Sequence, residues 1–128
     1  MAKDIALFNI LTNNLMSVAR EMSADFLRSA YSVVIREAAD CSTFLADAKG
    51  RILAQPQDQP LHMNSVSRAL TGALSKIDAT NLTEDDAIIL NDPYSGGQHL
   101  SDIYIFSPIV HDGKLVAFAG TTGHHADL

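Results

Sequence analysis

The sequence predicts an α+β fold: an antiparallel sheet of two hairpins, with a long N-terminal helix and a middle helix packed on one face. Three observations carry this. Apolar residues recur at helical steps of three and four between positions 8 and 26, and again between 66 and 74. Two strand-like stretches each turn back on a glycine, at Asp47-Ala48-Lys49-Gly50 and at His111-Asp112-Gly113-Lys114. The chain has 128 residues, 47% hydrophobic and 19% charged, which is enough for one core and too little for two.

The first helix is expected from about Asp4 to Arg28, with Phe8, Leu11, Leu15, Val18, Met22 and Phe26 as the stripe it buries. The period then shortens. Ser32–Arg36 and Ser42–Ala46 read as strands, and Arg36–Asp40 can form a short helical turn between them. Arg51–Ala54 returns after the Gly50 turn to complete the first hairpin. Pro56 and Pro60 bracket a loop from Gln55 to Leu61 that can continue neither strand. Asn64 or Ser65 then caps a helix running to about Ile77, with Val66, Ala69, Leu70, Ala73 and Leu74 as its apolar face. Thr83-Glu84-Asp85-Asp86 reads as a solvated acidic turn, and Ala87–Leu90 as a short buried strand. Ile103–Val110 and Leu115–Thr121 pair as the second hairpin, closed by the Asp-Gly turn signal.

Several function classes are excluded early. A net charge of -6 without a basic stripe argues against nucleic acid. The single cysteine, Cys41, permits no intrachain disulfide, fits a reducing compartment and sits in a strand pattern where a small buried residue is expected. Asn9, Thr12, Asn13 and Asn14 interrupt any signal-peptide core, and no apolar run is long enough for a membrane. The expectation is a cytoplasmic domain. Neither a Gly-x-x-x-x-Gly-Lys-Ser/Thr phosphate loop nor a Gly-x-Ser-x-Gly elbow is present.

The chemistry concentrates between Asn91 and Asp127. Imidazoles and carboxylates at two separated points on glycine-rich segments are what an open metal site requires. His99 and Asp102 are three residues apart, so a regular strand would send them to opposite faces. Joint ligation therefore needs a turn, and Gly96-Gly97 supplies the freedom just upstream. His124 and His125 are adjacent, so only one joins a given site easily, with Asp127 on the side of His125. A set of His99, Asp102 and one of these two leaves positions open for water and substrate. Mixed nitrogen and oxygen donors suit Zn²⁺, Mn²⁺ or Fe²⁺ better than Ca²⁺. Asp92 and His62 are the candidates for a direct catalytic part. Asp92 can also ligate, orient an imidazole or merely cap its Asn-Asp-Pro turn, and His62 either faces the same cleft or caps locally. His111, at the hairpin turn, is expected to be exposed.

At these residues a resemblance enters. Asn91-Asp92-Pro93-Tyr94, Gly96-Gly97-x-His99-Leu100-x-Asp102, Asp112-Gly113-Lys114-Leu115-Val116 and His124-His125-Ala126-Asp127 together resemble the hydantoinase B/oxoprolinase family. Arg36-Glu37, Asp40-Cys41-Ser42, Phe44-Leu45-x-Asp47 and Pro60-Leu61-His62-Met63 are similar to earlier segments of that family. The resemblance implies a hydrolase part that opens a cyclic amide, such as a hydantoin or 5-oxoproline. A partner ATPase of the hydantoinase A type spends ATP to activate that substrate. It also implies that His99, Asp102 and His124 hold a divalent metal, as in the carboxylase branch, leaving His125 and Asp127 as alternatives or supports. The rival within the family is the metal-containing subunit of an ATP-dependent ketone carboxylase; the rival from another class is a noncatalytic binding module. Members run to several hundred residues, so positions 1–128 are expected to be the N-terminal part of an incomplete domain.

Overall fold

The computed structural model describes residues 2–57 and 62–126. Its elements in chain order are helix α1 (Ala2–Ser29), helix α2 (Val33–Ala38), strands β1 (Cys41–Asp47) and β2 (Ile52–Ala54), and helix α3 (His62–Leu74). Strands β3 (Ile88–Leu90), β4 (Asp102–His111) and β5 (Lys114–His124) follow. All strand pairings are antiparallel, in the order β2-β1-β5-β4-β3. The α+β architecture and both hairpins are as the sequence predicts.

Alternation along the strands assigns the two faces. Phe44 and Ala46 of β1, Tyr104 and Phe106 of β4 and Phe118 of β5 point to one face and pack under Val66, Ala69, Leu70 and Ala73 of α3. Leu45 of β1 and Ala119 of β5 point the other way, toward Ala19, Leu15, Met16 and Met22 of α1. The helices therefore lie on opposite faces rather than on one, and β1, covered from both sides, is buried from Cys41 to Ala46.

Three local expectations are corrected. Ser32–Arg36 is not a strand, because the Ser32 side chain caps α2 by accepting from the Ile35 N–H. That local cap, and a left-handed Ala39 at φ 52° that ends the helix, override the β-branched Val33-Val34-Ile35 run. α3 begins at His62 instead of at an Asn64 or Ser65 cap, and ends at Leu74 before Ile77. β3 is an edge strand with Ile89 exposed, since among the described residues nothing pairs on its outer side.

The predicted α1 stripe is only half used. At 1.5 Å per residue a helix of 28 residues is about 42 Å long, whereas the 7 residues of β1 extend for about 24 Å. The N-terminal half of α1 therefore runs past the sheet, leaving Phe8 67% and Leu11 52% exposed. Farther along, the contact is centred on Ala19, wholly buried, rather than on Val18, 46% exposed. Thr43 fixes that closeness by donating to the Ala19 carbonyl at 2.8 Å. No helix among the described residues is long and apolar enough to cross a membrane.

Candidate functional site

The imidazoles gather where the end of β5 meets the starts of β1 and β4. Asp102 opens β4 directly opposite His124, which closes β5. The His124 N–H donates to the Asp40 carbonyl at 3.0 Å, so β1 is tied into the same corner. His99 reaches it through a turn: the Asp102 N–H donates to the His99 carbonyl and the His99 N–H to Asp102 Oδ2, each at 3.1 Å. This is the departure from strand geometry that joint use of His99 and Asp102 requires.

Asp102 is the pivot. It is 1% exposed, and its Oδ1 lies 2.7 Å from His124 Nδ1. With Oδ1 accepting from an Nδ1–H, the Nε2 of His124 is left to accept or ligate on the open side. The rings of His99 and His124 stand edge to face with centroids 5.9 Å apart. Their donor types, two imidazoles and a carboxylate, suit a divalent transition ion. As arranged, both Asp102 oxygens are engaged, and no three His, Cys, Asp or Glu side chains among the described residues stand in metal-holding geometry.

His62, at the first position of α3, faces the same corner. It is 3% exposed, with Nδ1 3.0 Å from Ser42 Oγ and Nε2 3.8 Å from Asp40 Oδ1. Burial lowers its pKa from the ordinary 6.5; the charges of Asp102 and Asp40 pull it back up, while His124 and His99 push it down further. One turn on, Ser65 donates to the His62 carbonyl and accepts from the buried phenol of Tyr104 at 3.1 Å. Burial raises the Tyr104 pKa, against its hydrogen bond to Ser65, and the nearby Asp102 charge adds to the rise. Tyr104 is therefore a fixed donor at neutral pH.

The remaining candidates stand apart. Asp92 caps a short 3-10 turn, Pro93–Ser95, by accepting from the Tyr94 N–H at 2.9 Å and from the Ser95 hydroxyl. Lys76 Nζ approaches the Asp92 carboxylate at 3.5 Å and bonds Ser95, which pins the loop to the end of α3. The Ser95 hydroxyl foremost, then the Tyr94 N–H and Lys76, hold the Asp92 pKa below the usual carboxylate value against a small cost of burial. His125 is placed by its backbone, whose N–H donates to the Ser101 carbonyl at 2.9 Å. Asp127 lies outside the described residues. His111 is exposed and Cys41 is a buried thiol. Asp40, Ser42, Ser65 and Tyr104 escaped the sequence reading as site residues, because neither the β1–β5 and β4–β5 registers nor the seating of α3, which carries Ser65, is written in any local spacing.

His62 yields a pH prediction with a definite sign. The unfolded imidazole takes up a proton near its ordinary value of 6.5, while the folded one resists it. The stabilisation tied to neutral His62 is thus complete above that pH and is lost as pH falls through the lower folded value. Urea midpoints at about pH 7.5 and about pH 5.5 should fall less for His62→Gln than for wild type. An equal fall in both would contradict this assignment.

Comparison with known proteins adds a family. The model of the Hydantoinase B/oxoprolinase family matches residues 4–128. 5-Oxoprolinase 1 of Arabidopsis thaliana is 33% identical over 125 residues, covering 98% of this chain and 10% of the plant protein. Caprolactamase subunit beta of Pseudomonas jessenii is 29% identical over 119 residues, covering 93% of this chain and 20% of that subunit. The crystal structure of the ATP-dependent caprolactamase from the same organism superposes with a TM-score of 0.83 at 27% identity, over 96% of this chain and 21% of that one. An acetone carboxylase structure also superposes with a TM-score of 0.83, over 96% of this chain and 16% of that one; at 21% identity it shows the shared fold alone. The chain spans only about a tenth of the plant relative it matches.

Proposed function

The chain belongs to the hydantoinase B/oxoprolinase family, and we propose that it serves the ATP-dependent hydrolytic opening of a cyclic amide, such as a hydantoin or 5-oxoproline. The observation that carries this reading is the convergence of His99, Asp102 and His124 at the strand ends, beside the buried His62. Relatives named 5-oxoprolinase and caprolactamase support the amide-opening class. A relative named as a subunit supports work in a hetero-oligomer, with a hydantoinase A-type ATPase as the partner that uses ATP. The chain's lack of a phosphate-loop motif is compatible with that division.

His99, Asp102 and His124 would together hold a divalent cation, Zn²⁺, Mn²⁺ or Fe²⁺, with Nε2 of His124 available to ligate while its Nδ1–H remains on Asp102. Once bound, such an ion supplies Lewis acidity toward a ring carbonyl or a bound water. The chain's own groups do the rest. Asp102 orients the His124 ring through the 2.7 Å contact and holds the His99 backbone. His62, kept neutral by burial and braced by Ser42, is available to accept a proton at the corner it shares with Asp102, His99 and His124. Asp92 acts through the Lys76 contact as a brace for the loop that carries His99. We place the protein in the cytoplasm.

The test is a coupled assay with the intact protein, its A-type partner and MgATP. Hydantoin, 5-oxoproline and acetone with bicarbonate are offered separately, and ring-opened or carboxylated product is measured beside phosphate. Ring opening that needs both proteins is expected. Product from acetone alone would replace this reading with the carboxylase, and phosphate-independent binding without product would replace it with a binding module.

A further inference from the structure

We infer that the notch between α3 and the glycine loop seats a carboxylate, so that the cyclic amide served by this chain carries an acidic group on its ring; this rests on the ring-opening reading above. The notch, about 140 Å³, is lined by Asn64, Ser65, Arg68, Gly96, Gly97 and Gln98. It is well under the several hundred Å³ of a pocket for a large ligand, so it suits a small group and excludes a nucleotide. A roomier hollow of about 400 Å³, lined by Ala79, Leu82, Lys114 and Leu115 among others, lies at the β4–β5 turn, the opposite end of these strands from the imidazoles.

Its walls are built for close approach. Gly96 has φ +109°, and a Cβ there would stand 2.6 Å from the backbone carbonyl of Arg68, so the loop lies directly on the helix. The notch adjoins the imidazole corner in two ways. Gln98 immediately precedes His99, and Ser65 is shared with Tyr104 and with the His62 carbonyl. A group held here leaves the rest of a small ring beside His99.

The charge on the lining chooses the ligand. Arg68 is the one ionisable side chain among the lining residues, in a protein of net charge -6, and is in no ion pair with a described carboxylate. Its planar fork matches the two oxygens of a carboxylate. One guanidinium beside the neutral amides of Asn64 and Gln98 balances a single negative charge, which favours a carboxylate over a phosphate dianion.

The experiment compares 5-oxoproline with 2-pyrrolidinone, the same lactam ring without its carboxylate, using the intact protein with its partner. Arg68→Gln should raise KM for 5-oxoproline roughly 10- to 100-fold, with kcat largely kept and 2-pyrrolidinone unaffected. Arg68→Lys should recover part of the loss, which shows that the folded site survives. Equal effects on both rings, or none on either, overturn the seat. If the wild-type complex opens neither ring, the ring-opening reading falls and calorimetry judges the seat separately. Binding of 5-oxoproline that weakens at least tenfold in Arg68→Gln sustains it; binding that is absent or indifferent to Arg68 removes it.

Discussion

Asp102→Asn is expected to slow ring opening by roughly 100- to 1,000-fold. The substitution keeps the volume of a side chain that is 1% exposed, so the effect is chemical rather than a packing collapse. Asparagine offers one acceptor where aspartate offers two. Both Asp102 oxygens are in use, one by the His99 N–H and the other by His124 Nδ1. The amide NH₂ must therefore meet either the His99 N–H, donor against donor, or His124 Nδ1. In the second case His124 is forced into the other tautomer, with its proton on the open side where a ligand would bind. Divalent-metal binding should weaken in parallel, and nitrogen chemical shifts of the imidazole should report the changed tautomer. A variant with wild-type rate, metal affinity and tautomer would remove Asp102 from the centre of this account.

Gly120→Ala should cost about 3 kcal/mol of stability, read as a lower urea midpoint. Gly120 faces Phe44 of β1 on one side and Phe106 of β4 on the other. The two aromatic rings meet edge to face across it, with centroids 5.9 Å apart. A Cβ at Gly120 would stand 2.1 Å from Phe44 Cζ, and Phe44, buried under α3, has nowhere to retreat. Phe44→Leu alone is destabilising because it vacates a fully buried position. Combined with Gly120→Ala it should be less harmful than the sum of the two, since the shorter side chain removes the clash. Simple additivity would show that the ring and the glycine are not coupled.

The hairpins were legible because their signals are local. Asp112 and Gly113 adopt φ of 50° and 69°, the backbone that an Asp-Gly pair favours. Tyr104, Phe106 and Pro108 alternate on the buried face as a half-covered strand should. Even Pro108 is consistent: β3 pairs with β4 only from Tyr104 to Phe106, so the missing N–H falls beyond its edge partner. Competition between local signals explains the misread segment. Val33-Val34-Ile35 has strand composition, and a single serine cap turned it into helix.

The candidate site was legible in its residue types but not in its surroundings. His99, Asp102 and His124 share a motif-rich segment, and the resemblance selected them together. That Asp102 would close onto His124 follows from the β4–β5 register, which sets one opposite the other. His62 stayed ambiguous in sequence, because its orientation depends on α3 starting two residues before the expected cap. Ser42 and Asp40 were invisible as neighbours, since they meet His62 from the start of β1 and the residue before it, across the fold.

The most direct test pairs the intact protein with a hydantoinase A-type ATPase, its proposed partner, MgATP and a cyclic amide, and compares wild type with His99→Ala. Ring-opened product and phosphate are counted in the same reaction. This account predicts that the variant loses ring opening while the partner still turns over ATP, because His99 serves the opening step and not the activation. Ring opening at the wild-type rate in His99→Ala would contradict it.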